Sequence, residues 1–272
     1  KARSHGGSTM LINGTRCSGM PYYYQSNPWQ CIFARKDMVG KFIPSLDVVN
    51  ADNDACTKSY DKYLKDNGLD ASKLTEADIL QMDEALGAST KEMVRKAGDD
   101  RALLYGGFAG GVRRLSPDKT IKNFFDGLSI VKWSNVRTDG AAAHGDNFCD
   151  TDIPLFRLGE IYLTRAEALY RLGDKQGALK DIQKLQDRAH RINIAQSVDL
   201  NYILDEWCRE FYLEGRRRTD LRRFGMFTTN KYVWEWKAGV YEGTSTYDHC
   251  NLFPIPQTDI TNNPNMHQNP GY

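Results

Sequence analysis

The chain has 272 residues, 36 basic against 35 acidic, for a formal net charge of +1. That balance argues against a phosphate-seeking surface, because nucleic-acid affinity rests on uncompensated cations. Hydrophobic residues make up 40% and mean hydropathy is -0.58, so a core can form, but no apolar run approaches the roughly 18–20 residues of a transmembrane helix.

The opening "KARSHGGSTM" has neither an initiator Met nor a signal-peptide run and reads as a processed or truncated start. Residues 1–60 interleave Gly, Asn and Pro with aromatics and predict irregular structure with short strands, "RKDMVGKFI" forming a short helix. Residues 52–72 are polar and predict a surface excursion. Asn50, Asp52, Asp54 and Asp61 are spaced as in a calcium loop, but Ala55 stands where that loop needs Gly, so no metal is expected. Thr75 with Asp78 reads as a helix start, with Ile79, Met82 and Leu86 following at helical spacing. "RALLYGGF" and "LSIVKWSNV" are β-like, and residues 138–152 read as a loop.

From Leu155 the pattern turns helical. Leu158, Ile161, Tyr162, Ala166, Leu169 and Leu172 make one apolar stripe, and Ala178, Ile182, Leu185 and Ala189 a second. Gly173 ends the first helix and Asp174 caps the next, giving a hairpin that looks like a single tetratricopeptide unit. A lone repeat cannot bury both its faces, so an exposed apolar patch is expected here, to be covered by another polypeptide. Ser197 is the expected cap of a third helix, with Ile203, Leu204, Trp207 and Phe211 on one face. "YVWEWKAGVYEG" reads as β-like, and "FPIPQ" as a stiff strap burying Phe253 and Ile255.

Cys17, Cys31, Cys56, Cys149, Cys208 and Cys250 form no CxxC pair and read as mostly free thiols, a Cys17–Cys31 bridge being left open. HExxH, GxSxG, Walker and GxGxxG motifs are absent and the histidines are scattered, so neither a cofactor nor an enzymatic activity is expected.

Five arginines fall between Arg216 and Arg223. From Asp205 to Arg223, six arginines face five acids, and Glu206, Glu210 and Glu214 step by four, which favours ion pairing over a bare cationic face. Gly215 interrupts the helix, and Asp220 is the expected cap of a short following one.

"EFYLEGRRRTDLRRFG" resembles the E-[LF]-x-[FL]-E-G-x-R-x-x-D-L-x-R-[WF]-G signature of SusD/RagB proteins. "DIPLFRLGEIYLTRAEALYRLGD" and the ending "LFPIPQTDITNNPNMHQNPGY" resemble two further segments of that family, in the right order. "DDRALLY" and "IVKWSN" match more weakly, and Trp207 departs from the pattern, standing where the family often has Arg. The resemblance implies a mainly α fold with a minor β part, in which tetratricopeptide-like helical hairpins support a loop-rich face with short strands. It divides this chain into a ligand-face part, about residues 1–152, and a helical part with a C-terminal clasp, about 153–272. It also implies a non-enzymatic cell-surface lipoprotein of the outer membrane. Such a protein binds oligosaccharide or polysaccharide and delivers it to a SusC-like TonB-dependent transporter. Family chains are longer, so this sequence resembles the C-terminal half, with the lipidated cysteine and a missing N-terminal half outside it. A helical-repeat adaptor for protein or peptide partners is the alternative.

Sugar sites stack C–H faces on aromatic rings. Tyr22, Tyr23, Tyr24 and Trp29, with Asn27 beside them, are therefore the candidate ligand residues, joined by Trp133. Trp29 also reads as core, and Trp234 and Trp236 are further aromatic candidates. Glu214, Arg217, Asp220 and Arg223 are the signature positions, expected to be buried and paired with one another or with helix ends.

Overall fold

The computed structural model describes residues 33–46, 53–107, 115, 127–132 and 154–272. The chain is mainly helical with a small sheet, and divides into two compact units, residues 1–214 and 215–272. No helix among the described residues is long and apolar enough to cross a membrane.

In the first unit, strands β1 (Phe33–Ala34), β2 (Leu104–Tyr105) and β3 (Leu128–Ile130) form an antiparallel sheet in the order β1-β3-β2. Helix α1 (Lys36–Val39) follows β1 and buries Val39. Its successors are α2 (Asn53–Asp66), α3 (Glu76–Ala85) and α4 (Thr90–Ala97). Helix α2 replaces the expected surface excursion. The sequence there is polar, but Tyr60, Tyr63 and Leu64 fall at i, i+3 and i+4 and pack on the core. The same helical backbone carries Asp54 and Asp61 of the calcium-like spacing. At α3 the Thr75 hydroxyl accepts from the Asp78 N–H and the Asp78 carboxylate from the Thr75 N–H, a reciprocal capping box. The core gathers Val39, Phe42, Met82, Met93, Leu104 and Leu128 under these helices.

Helices α5 (Leu158–Arg171) and α6 (Lys175–Arg188) form the hairpin, turned through Gly173 at φ 94° and capped by Asp174, whose carboxylate accepts from the Gly177 N–H at 2.8 Å. The α6 stripe is buried as its spacing indicates. The α5 stripe is buried only in part: Ala166 is buried and Tyr162 and Leu169 half-buried, but Leu158, Ile161 and Leu172 are 66%, 58% and 85% exposed. The buried face of α5 shares Ala166 with that stripe and otherwise consists of Gly159, Leu163 and Glu167. This helix is apolar on more than one side, and small residues select the side that approaches its neighbours. A Cβ on Gly159 would lie 2.9 Å from a Glu210 oxygen.

Helix α7 (Leu200–Phe211) buries Ile203, Leu204, Trp207 and Phe211, Trp207 packing on Phe211 with centroids 5.3 Å apart. Its cap is Asp199, which accepts from the Tyr202 N–H at 2.7 Å, rather than Ser197. The helix ends because Tyr212 turns extended and Leu213 takes φ 57°.

The second unit holds α8 (Arg217–Arg223) and α9 (Gln257–Asn262). Arg216 occupies the cap position of α8, and Asp220 sits inside the helix instead of capping it. "YVWEWKAGVYEG" is a tight turn rather than a strand: Trp236 and Ala238 adopt φ 67° and 57°. At its centre Lys237 is buried, its ammonium donating to the carbonyls of Met226, Thr229 and Tyr232. A non-glycine residue in this region is strained by roughly 1–2 kcal/mol, and glycine gives part of that back in backbone entropy. Ala238→Gly is therefore expected to raise unfolding stability by about 0.5–1 kcal/mol in denaturant titration; a loss would contradict the strain.

The C-terminal strap is pinned by amides. Gln268 accepts from the Ile255 N–H at 2.8 Å and donates to its carbonyl at 2.9 Å, and Asn269 donates to the Phe253 carbonyl at 2.8 Å. Because these side-chain amides hold the strap, Phe253 need not be buried. It is 69% exposed, with the Arg218 guanidinium 3.8 Å from its ring centroid.

Candidate functional site

Tyr22, Tyr23, Tyr24, Asn27, Trp29 and Trp133 lie outside the described residues. Trp234 and Trp236 are both half-buried. Trp234 stacks on Phe227 at 6.4 Å, and Trp236 meets the Tyr241 ring edge-on at 5.7 Å. Both indoles therefore build the turn around Lys237.

The charged centre of the first unit lies where the glutamate row of α7 meets cations from distant segments. Arg101 is nearly buried and donates from Nε and Nη2 to the two oxygens of Asp99, at 2.9 and 2.8 Å. Its Nη1 donates to Glu206 at 2.7 Å and to Glu210 at 3.0 Å. Glu206 also accepts from Arg209 at 2.8 Å, and Asp99 from Arg191 at 2.8 Å. Arg157, lying over the Phe211 ring at 3.7 Å, bonds Glu210 and grips Glu214 through Nε and Nη2, each at 2.8 Å. Arg188 donates to both oxygens of Glu210 at 2.7 Å.

The spacing of four puts Glu206 and Glu210 in one row on α7, and Glu214, past the helix end, joins them through Arg157 and Lys132; the cations of all three come from Arg101, Arg157, Arg188, Arg209 and Lys132, not from Arg216–Arg223. The physical reason is the end of α7, which leaves the arginine run off the helical row. "DDRALLY" and "LFRLGE" contain Arg101 and Arg157, and "IVKWSN" contains Lys132.

Burial works against the Glu210 carboxylate, but the guanidinium groups of Arg101, Arg157 and Arg188 outweigh it and hold this carboxyl at about 2. Glu206 and Asp99 are lowered in the same way, burial again being the larger opposing effect. Lys132 lies two residues past the end of β3 and immediately precedes Trp133. Its ammonium donates to the carbonyls of Glu210 and Tyr212 at 2.9 and 3.0 Å and to the Glu214 carboxylate, beside the Tyr212 ring at 4.4 Å. Burial pulls it down to about 8, against the pull of Glu214. A cleft of about 310 Å³ opens among Arg101, Lys132, Arg157, Arg188 and Tyr212. Its charges are engaged with one another, an arrangement suited to fixing the end of β3 and the α5–α7 junction.

The signature positions separate. Glu214 belongs to this network, and its side chain is 9% exposed. In the second unit Asp220 is buried and accepts from Arg223 at 2.8 Å and Arg216 at 3.4 Å. Arg217 is half-buried and donates to the Tyr232 hydroxyl at 2.6 Å, while Arg223 is exposed. The two carboxylates therefore lie deeper than the two guanidinium groups. Arg218 completes the run by donating to the Cys250 carbonyl at 2.8 Å, close to the Phe227 and Phe253 rings. Cys208 is a buried free thiol and Cys250 a half-buried one.

The chain is 50% identical over all 272 residues to the starch-binding protein SusD of Bacteroides thetaiotaomicron, covering 47% of that protein. Among solved structures, a SusD-like protein of Bacteroides fragilis aligns over the whole chain and 53% of its own, with a TM-score of 0.55 at 17% identity. NanU of B. fragilis aligns over 64% of the chain and 36% of its own, with a TM-score of 0.43 at 26% identity. The chain spans about half the length of the curated relative it matches. The family model described as the SusD family matches residues 2–272, and the chain belongs to that family.

Proposed function

We propose that this chain is part of a cell-surface glycan-binding protein that captures starch-type oligosaccharide and passes it to a SusC-like TonB-dependent transporter in the outer membrane. The observation that carries the glycan reading is the 50% identity across all 272 residues to a starch-binding relative. Binding without catalysis is the proposed role, with a lipid anchor outside these residues holding the protein to the membrane.

The aromatic stretch Tyr22–Trp29, with Asn27, is the proposed sugar platform, Trp133 contributing from the segment that Lys132 anchors. Truncating Tyr22, Tyr23 and Tyr24 singly to Ala in the intact protein tests it by calorimetric titration with maltoheptaose. At least one variant is expected to lose on the order of 1 kcal/mol, the worth of a ring contact. Three folded variants that bind like the parent would place the sugar elsewhere.

The open face of α5 is proposed to be covered by further helical hairpins of a longer polypeptide. Support comes from the exposed Leu158, Ile161 and Leu172 and from the half-length match to the relative. Ile161→Asp should then destabilise the intact protein by roughly 1–3 kcal/mol, the cost of burying an unpaired polar group; an unaffected unfolding midpoint contradicts the cover.

A further inference from the structure

The second unit carries an aromatic side chain whose exposure the fold does not require. The Tyr247 ring lies parallel to the His249 imidazole, 9° apart with centroids at 5.5 Å, yet the residue is 78% exposed. The chain end fixes this pair. Tyr272 meets His249 edge-on at 4.7 Å and donates its hydroxyl to the Leu252 carbonyl at 2.8 Å. Gly271, at φ 96°, lies so close that a Cβ there would come within 2.6 Å of the imidazole. The Cys250 N–H donates to the Tyr247 carbonyl at 3.0 Å, which closes the turn beneath the ring. Tyr247 is therefore an exposed ring beside a fixed imidazole, on a backbone turn closed by the Cys250 N–H.

Its sequence neighbours are small and polar. Thr244, Ser245 and Asp248 are all exposed, and Asp248 uses one oxygen to accept from the Thr228 hydroxyl at 3.1 Å. A protein hot spot seats its aromatic anchor in a desolvated pocket ringed by contacts that exclude water. A sugar platform needs one open ring face with hydroxyl or carboxylate groups nearby, because a pyranose has an apolar C–H face and a polar rim.

We propose that Tyr247 is a second carbohydrate-stacking platform, taking the C–H face of a pyranose on its open side, with Asp248 and the exposed hydroxyls of Thr244 and Ser245 serving the sugar's rim. This inference rests on the glycan reading above and adds to it a contact point in the second unit. One ring gives a weak site for a single sugar. On a polymer that already occupies a first site, the same contact adds through effective concentration.

The test compares Tyr247→Ala and Tyr247→Phe with the parent, as intact protein, by retention in amylopectin affinity gels. Tyr247→Ala is expected to weaken retention about fivefold, the fold-change that corresponds to one aromatic contact. Tyr247→Phe should bind like the parent. Both should keep the parental unfolding midpoint, because an exposed ring contributes little to stability. A retained parent with an equally retained Tyr247→Ala overturns the platform and leaves the glycan reading intact. A Tyr247→Ala that loses only a protein partner likewise overturns it, assigning the ring to that partner. A parent that amylopectin does not retain overturns both.

Discussion

Replacing Arg101 with alanine is expected to cost about 3–5 kcal/mol of stability, because breaking a buried ion pair leaves uncompensated charge behind. Among the described residues Arg101 alone joins Asp99, Glu206 and Glu210, all three buried. Its removal leaves those carboxylates with fewer donors than they need, and water cannot easily replace a guanidinium at that depth. Arg101→Lys keeps the charge but loses the fork that grips Asp99, so it should fall between the parent and the alanine variant. The Lys62–Asp66 pair, exposed on both sides, is a control: Lys62→Ala should cost about 1 kcal/mol or less. Arg217, half-buried against Tyr232, is a milder site than Arg101. Denaturant titration of the intact protein measures all of these, and an Arg101→Ala loss no larger than that of Lys62→Ala would contradict a stabilising network.

Acid should act on the same centre. The Glu210 carboxyl lies near 4.5 in an unfolded chain and at about 2 in the fold. Between those values the unfolded chain binds the proton more readily, so unfolding takes up a proton and stability falls as pH falls. The contribution of Glu210 is complete above about pH 4.5 and gone below about pH 2. A shift of that size corresponds to about 3 kcal/mol. Glu206 and Asp99 are lowered as well and steepen the fall. Glu210→Gln, which cannot titrate, should be less stable at pH 7 and should lose less stability than the parent between pH 4.5 and 2. Parallel profiles for parent and variant would contradict the depressed carboxyl.

Local periodicity made several elements legible. The α6 stripe, the apolar face of α7 and the Thr75 capping box each follow from residues within a few positions of one another. Motifs at Glu210–Gly225 and at the chain end carried the family. What sequence could not carry was long-range or conformational. The partners of the glutamate row come from Arg101, Arg157 and Arg188, and nothing in the spacing around Glu206 points to them. Helix α5 misled because it is apolar on two sides, so periodicity found a face without saying which one is covered. Tyr, Val and Trp favour strands, which hid the left-handed turn at Trp236 and Ala238. Phe253 looked buried because the amides of Gln268 and Asn269, which hold the strap without it, lie beyond it in the chain. Of the candidate site, the sequence supplied residue types, an aromatic run beside amides, but not their mutual placement.

Glycan binding without cleavage is tested most directly by titrating the intact protein with maltoheptaose in a calorimeter and sizing the sugar afterwards. The expected result is a saturable isotherm with maltoheptaose recovered at its original length and no new reducing ends. An absence of binding heat across the titration, or shorter products in the recovered sugar, would contradict it.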